Sequence, residues 1–247
     1  MKDKTVSLVI TSCDRFDLLE ETLKSFFYFN TYPLTQIIVI EDSGKEKELK
    51  NVLNKFKQDF TILINKDKLG QLRSIDKAYS YVESEYIFHC EDDWEFNKYS
   101  FIEKSLNILN ENSKILSVWI RSIEEFSKIK FSDNIYKSNT NESYKLVYNE
   151  ILTFNPSLRR ISDYKELCSY SQFESKNFEY EISEYYLNKG FVSAILIDPC
   201  VNHLGWHRRV ANINKNKSKI GYWLDSKIKK MKAKFYKRFS LGKFKNK

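Results

Sequence analysis

A chain of 247 residues, 42% apolar and 30% charged, has the make-up of a globular protein with one large domain or a domain plus an appendage. No apolar run approaches the roughly 18 residues that a membrane-crossing helix needs, which excludes a predicted transmembrane segment. The four cysteines, Cys13, Cys90, Cys168 and Cys200, show no CxxC pairing; they read as free thiols of a reducing compartment and speak against a zinc site. The net charge of +8 is unevenly placed. From Asn214 onward, thirteen Lys or Arg face the single acid Asp225, a local +12 that leaves −4 for the rest. The basic pI therefore describes the tail, not the body.

The chain begins at once with a strand-like run, Val6 to Ser12, rich in β-branched residues and with no secretory leader before it. Cys13-Asp14-Arg15 makes the turn into a helix whose apolar positions are Phe16, Leu19, Leu23, Phe26 and Phe27, with Asp14 a candidate cap. Ile37 to Ile40 is a second buried strand, ending in Glu41-Asp42, and a polar helix then runs to about Phe56. Thr61 to Ile64 is a third strand, followed by Asn65, the Lys68-Leu69-Gly70 turn and a helix over Ser74 to Val82. Tyr86 to Cys90 is a fourth strand and runs straight into Glu91-Asp92-Asp93. Strand and helix alternating in this way predict a parallel sheet with crossovers.

The acidic triplet carries the chemistry. Ligands of open α/β sheets bind beyond the carboxyl ends of the strands, and carboxylates there can seat a hard divalent cation that in turn holds a diphosphate. The plainer alternative is a solvated acidic turn. Asp42, at a second strand end, is either a turn residue or a grip on a base or ribose. Neither a dinucleotide-binding glycine fingerprint nor a Walker A loop is present, so phosphate charge falls to a cation and to side chains such as Arg73.

With Val6 to Arg15, Ile37 to Gly44, Asn65 to Arg73 and Glu91 to Asp93 in that order, the first hundred residues resemble the nucleotide-sugar-binding half of a GT-A glycosyltransferase of the inverting family 2 type. The acidic triplet fills the place of the family's Asp-x-Asp motif, with Glu91 where an aspartate often stands. The resemblance implies that Thr11, Asp14 and Arg15 line the nucleotide pocket. It further implies that Asp42 contacts the base or ribose, Arg73 the nucleotide or diphosphate, and Asp92 the ribose or donor sugar. Asp93 would ligate Mn²⁺ or Mg²⁺, with Glu91 beside it. A histidine followed by a glycine near the end of the domain, here His203, implies a further metal or diphosphate contact.

A helix over Phe96 to Asn110 and a strand over Ile115 to Ile120 come next, then a polar segment, Arg121 to Asn141, that reads as a surface loop or a loop over the site. Lys145 to Phe154 reads as a strand and Pro156 as the first turn of a helix. Arg159 and Arg160 there either meet phosphate or form a solvated basic turn. Asn177 to Leu187 is an amphipathic helix stopped by Gly190. The family places its catalytic acid at the start of such a helix, which implies Glu179 as the base that deprotonates the acceptor hydroxyl, with Glu181 second. Both would also serve simply as negative charge at a helix N-terminus. Phe191 to Ile197 is the last strand, and His89 reads as a core residue.

The expectation is thus an α/β protein with a mostly parallel, Rossmann-like sheet: a GT-A domain over 1–212 and a basic tail over 213–247. It would transfer a sugar from a nucleotide-sugar donor, UDP favoured, to a glycan or lipid-linked acceptor. Apolar residues at threes and fours make the tail a basic amphipathic helix suited to an anionic cytoplasmic membrane face. A nucleotidyltransferase, or a non-catalytic membrane or RNA adaptor acting through the tail, are the rival readings. Nucleic acid is the weaker partner, because no nucleic-acid module accompanies the charge.

Overall fold

The computed structural model describes residues 4–205. The tail and the expected boundary at 212/213 lie outside the described residues. Strands are β1 Val6–Ser12, β2 Gln36–Glu41, β3 Thr61–Ile64, β4 Tyr86–Glu91, β5 Trp94–Phe96, β6 Ile115–Trp119, β7 Tyr136–Lys137, β8 Ser143–Val147, β9 Ser157–Arg160, β10 Val192–Leu196 and β11 Val201–His203. Helices are α1 Phe16–Phe29, α2 Glu46–Leu53, α3 Gln71–Tyr79, α4 Phe101–Glu111, α5 Ile161–Leu167 and α6 Phe178–Leu187. Nine strands form one sheet in the order β3-β2-β1-β4-β9-β6-β10-β8-β7, and β5 pairs with β11 beside it.

The alternation of side chains along each strand divides the core between the two faces of the sheet. On β1, Leu8 and Ile10 point into one apolar cluster with Leu19, Leu23 and Phe26 of α1, while Val9 points into the other with Ile75 and Ala78 of α3. Every strand from β1 to β4 is therefore apolar on both sides, which is why these runs were readable as buried parallel strands. At the centre of the first cluster Phe26 packs against Phe27, Phe88, Phe96 and Phe101, with ring centroids 5.0 to 5.7 Å apart.

Four expectations need correction. The helix expected from Pro156 is a strand: β9 lies antiparallel between β4 and β6, with Leu158 paired to Phe88 and to Val118. A four-residue strand containing two arginines has no apolar run, so only its neighbours reveal it. The strand expected over Lys145 to Phe154 is β8, which ends at Val147. The helix expected from Phe96 starts at Phe101, because Trp94 and Phe96 donate their amides to Thr22 Oγ1 and Ser25 Oγ of α1 and run extended beside it. Finally, Arg160 does not sit in a solvated basic turn: it donates to the carbonyls of Leu109, Asn112 and Ile115, closing the C-terminal end of α4.

The aromatic cluster yields a direct test. Phe26→Ala leaves a cavity in a fully buried site and is expected to cost roughly 3–5 kcal/mol of unfolding free energy, measured by denaturant titration.

Candidate active site

Because β1 lies between β2 and β4 and all three are parallel, their carboxyl ends emerge side by side. Ser12 is level with Glu41, and Thr11 with Glu91. The β1–α1 turn crosses this edge. Asp14 takes a left-handed conformation, φ 56°, and donates its amide to Glu41 Oε1 at 3.0 Å. Its side chain pairs with Lys45 at 2.6 Å and does not cap α1. The turn thereby delivers Arg15 onto the acidic triplet.

There the guanidinium bridges two carboxylates. Nη2 and Nε donate to the two oxygens of Asp92, and Nη1 donates to Asp93 Oδ2 at 2.5 Å. Asp92 is fully buried and also accepts the Cys13 amide at 3.2 Å. Burial pushes Asp92 up to about 7 even against this pairing. For Asp93 burial pulls upward as well, but the His203 hydrogen bond and the Arg15 charge outweigh it and hold the carboxyl below its ordinary value. His203 Nε2 stands 3.1 Å from Asp93 Oδ2, brought there by the pairing of β11 with β5, in which His203 is opposite Trp94.

Glu91, the third member, is turned differently. Its carboxylate accepts from Gln71 Nε2 at 3.2 Å, and burial followed by the Asp93 and Glu179 charges raises its pKa. Successive residues of an extended chain point to opposite sides. The strand ends at Glu91 and the chain bends at Asp92 and Asp93, so the alternation does not carry on to Asp93, and Glu91 does not converge with Asp93 and His203. Among the described residues no group of three or more His, Cys, Asp or Glu side chains gathers as a metal cage.

A divalent cation nevertheless fits what is present. Asp93 Oδ1 is buried without a hydrogen-bond partner, and an imidazole nitrogen stands beside the same carboxylate. One carboxylate and one imidazole suit a Mn²⁺- or Mg²⁺-type ion that takes its remaining ligands from substrate phosphate and water.

Of the other expected residues, Thr11 is half-buried on β1 beside Glu91. Asp42 spends its carboxylate on its own chain: Oδ1 accepts from Asn65 Nδ2 and the Leu69 amide, and Oδ2 from the Gly70 amide. Gly70 has φ +86°, which suits glycine, so Asp42 and Gly70 together fix the loop that enters α3. Arg73 is turned away from the triplet and pairs with Glu174 at 2.6 and 3.0 Å. Arg159 is 3% exposed and donates to Thr153 O and Ser157 Oγ at 2.7 and 2.6 Å, so it is an interior residue, not a surface phosphate ligand. Its place on β9, between two strands, puts it inside.

Glu179 stands at the start of α6, and its Oε1 accepts the Phe154 amide at 3.1 Å. Burial raises its pKa, and its charge contributes to the raised pKa of Glu91. Glu181 faces elsewhere and accepts from Ser175 Oγ at 2.7 Å.

From the sequence Glu41 reads only as an acid at the end of β2, with no role of its own. It is fully buried, holds the Asp14 and Ser43 amides through Oε1, and leaves Oε2 without a partner. An acid on the last, inward-facing position of a buried strand was the available signal. Thr153 and Asn65, which shape the surrounding loops, carried none.

This arrangement, strands β1 to β4 parallel with a charged, histidine-flanked carboxylate edge, is that of a GT-A fold. The chain belongs to glycosyl transferase family 2, whose sequence profile matches residues 7–167. Comparison with curated protein sequences found no match. Among solved structures, GalNAc-T7 with UDP, GalNAc and Mn²⁺ is 12% identical, with a TM-score of 0.65 over 89% of this chain and 47% of that one. The mannosyltransferase PcManGT of Pyrobaculum calidifontis, in complex with GDP-Man and Mn²⁺, is 10% identical, with a TM-score of 0.60 over 81% of this chain and 56% of that one. TarS 1-349 of S. aureus is 13% identical, with a TM-score of 0.60 over 82% of this chain and 61% of that one. The chain thus spans about half the length of the structures it resembles. These likenesses concern the fold.

Removing Arg15 leaves a buried carboxylate unpaired. Arg15→Met is expected to destabilise the protein by roughly 3–5 kcal/mol in denaturant unfolding, and adding Asp92→Asn should recover part of that loss.

Proposed function

We propose that the chain is an inverting glycosyltransferase that moves one sugar from a nucleoside diphosphate donor to a hydroxyl of a glycan or lipid-linked acceptor. UDP is favoured over GDP. The observation that carries this reading is Asp93, a buried carboxylate with one unpartnered oxygen, beside His203 at the carboxyl edge of the sheet. Asp93 and His203 would hold Mn²⁺ or Mg²⁺, which when bound neutralises the charge of the departing diphosphate. Arg15 keeps Asp92 and Asp93 fixed and supplies positive charge at the same edge. Thr11, the Asp14 turn and the loop held by Asp42 frame the nucleotide side of the site.

Glu179 acts as general base. Its carboxylate takes the proton of the acceptor hydroxyl as that oxygen bonds to the anomeric carbon from the face opposite the breaking sugar–phosphate bond. The Phe154 amide fixes one of its oxygens, which supports a single working orientation. A nucleotidyltransferase would share the sheet and the acids, but the β1–α1 turn here, Cys13-Asp14-Arg15, lacks the glycine-rich basic loop that such an enzyme needs. The +12 tail supports peripheral attachment to an anionic membrane on the cytoplasmic side, where a lipid-linked acceptor would be met.

The test is release of nucleoside diphosphate from a panel of donors, with Mn²⁺, with Mg²⁺ and with a chelator. Asp93→Asn is expected to weaken cation binding, read by the loss of a Mn²⁺-dependent rise in Tm, and to suppress turnover. Glu179→Gln should lower kcat by roughly 100-fold or more with donor binding kept. A base works only when ionised, so kcat/KM of the wild type should fall as pH drops through the Glu179 pKa, above the ordinary carboxylate value of 4.5. That limb should vanish in Glu179→Gln. Full activity in Glu179→Gln would remove the base assignment.

A further inference from the structure

Arg159 has no role in the mechanism above, yet it is the most anomalous side chain in the interior. It is 3% exposed, and no carboxylate pairs with it among the described residues. Its guanidinium lies among aromatic rings, 5.8 Å from the Phe154 centroid and facing the Tyr79 and Tyr170 side chains. Only Nη2 has geometrically sound partners, Thr153 O at 2.7 Å and Ser157 Oγ at 2.6 Å, while Nε and Nη1 have none. Burying a cation this way is costly, and a neutral donor would be enough to close a turn. The expense points to a task.

The task is legible in what the turn holds. Phe154 is the residue that meets Glu179: its amide donates to Oε1 at 3.1 Å, and the neighbouring Thr153 side chain favours the ionised form of the same carboxylate. Thr153 Oγ1 also accepts from the Asn155 side chain at 2.5 Å, so the segment is folded back on itself. The guanidinium holds the Thr153 carbonyl, which belongs to the same planar peptide group as the Phe154 amide that donates to Glu179.

We propose that Arg159 is a positioning residue for catalysis: by clamping the Thr153 carbonyl it fixes the Thr153–Phe154 peptide that orients the Glu179 carboxylate. The inference rests on Glu179 being the base. Clamping is the larger effect, because the charge of Arg159 is only one of several influences at Glu179. Those are burial, the Phe154 amide, the Thr153 side chain, Glu150 on the same segment and Glu91 from the end of β4.

The experiment compares Arg159→Met, which keeps the length and loses the charge and fork, with Arg159→Lys, which keeps the charge. Donor turnover is followed across pH, together with donor KM and Tm. Arg159→Met is expected to lower kcat on the order of 10- to 100-fold at unchanged donor KM and to move the acidic limb of kcat/KM to higher pH, with Arg159→Lys recovering part of both. A lowered Tm with kcat and the acidic limb unmoved would overturn the proposal and leave Arg159 a structural residue. Should Arg159→Met not fold, Arg159→Lys and Thr153→Val carry the test, and an unmoved limb and kcat in both would overturn it equally. Glu179→Gln separates the two readings. If it stays active, the base assignment falls and takes this inference with it; if it is inactive while the Arg159 variants behave as wild type, only this inference falls.

Discussion

Three carboxylates in a row at the end of a buried strand repel one another, and each loses hydration as the strand enters the core. The body tolerates this because one guanidinium, Arg15, reaches across from the neighbouring strand end and binds two of them at once. A planar fork can serve two acids where a lysine could serve one. That ion-paired cluster ties β1 to β4, and it also leaves Asp93 with an oxygen that the protein does not satisfy. The local arrangement is thus short of positive charge by design of its geometry. A cation and a diphosphate complete it in the reading proposed here.

The second constraint is β9. Wedged between β4 and β6, it joins the first four strands to the later ones and completes a sheet of nine. Its two arginines go to opposite faces. Arg160 closes α4 on one side, and Arg159 enters the other cluster beneath the Thr153–Phe154 turn that hydrogen-bonds Glu179. Through this strand the Asp93 edge and the start of α6, the two ends of the chemistry in the proposed reading, belong to one sheet and its helices.

The early strands and the acidic edge could be read from the chain because their information is local. Uninterrupted β-branched runs such as Val6 to Ile10 and Ile37 to Ile40 stay apolar on both faces, and the acids follow at the point where burial ends. The start of α6 was also legible, from Asn177 to the Gly190 stop, whose φ of +76° explains the glycine. Illegible were β5, β9 and β11, three or four residues each, whose hydrogen bonds go to partners far away in the chain. Side-chain direction was illegible too. Asp42, Arg73 and Arg159 all have the residue type of a ligand contact. One folds a loop, one pairs with Glu174, and one is buried.

By itself the sequence determined the class of sheet, the succession of its first four strands along the chain and the presence of an acidic rim, because hydrophobic period and strand length are properties of contiguous residues. Tertiary structure alone decided which acids face a common space, that Arg15 spans two of them, and that His203 comes to Asp93 across a strand pair. Those outcomes depend on the register between segments distant in the chain, and a shift of one residue in any strand would turn each of these side chains to the opposite face.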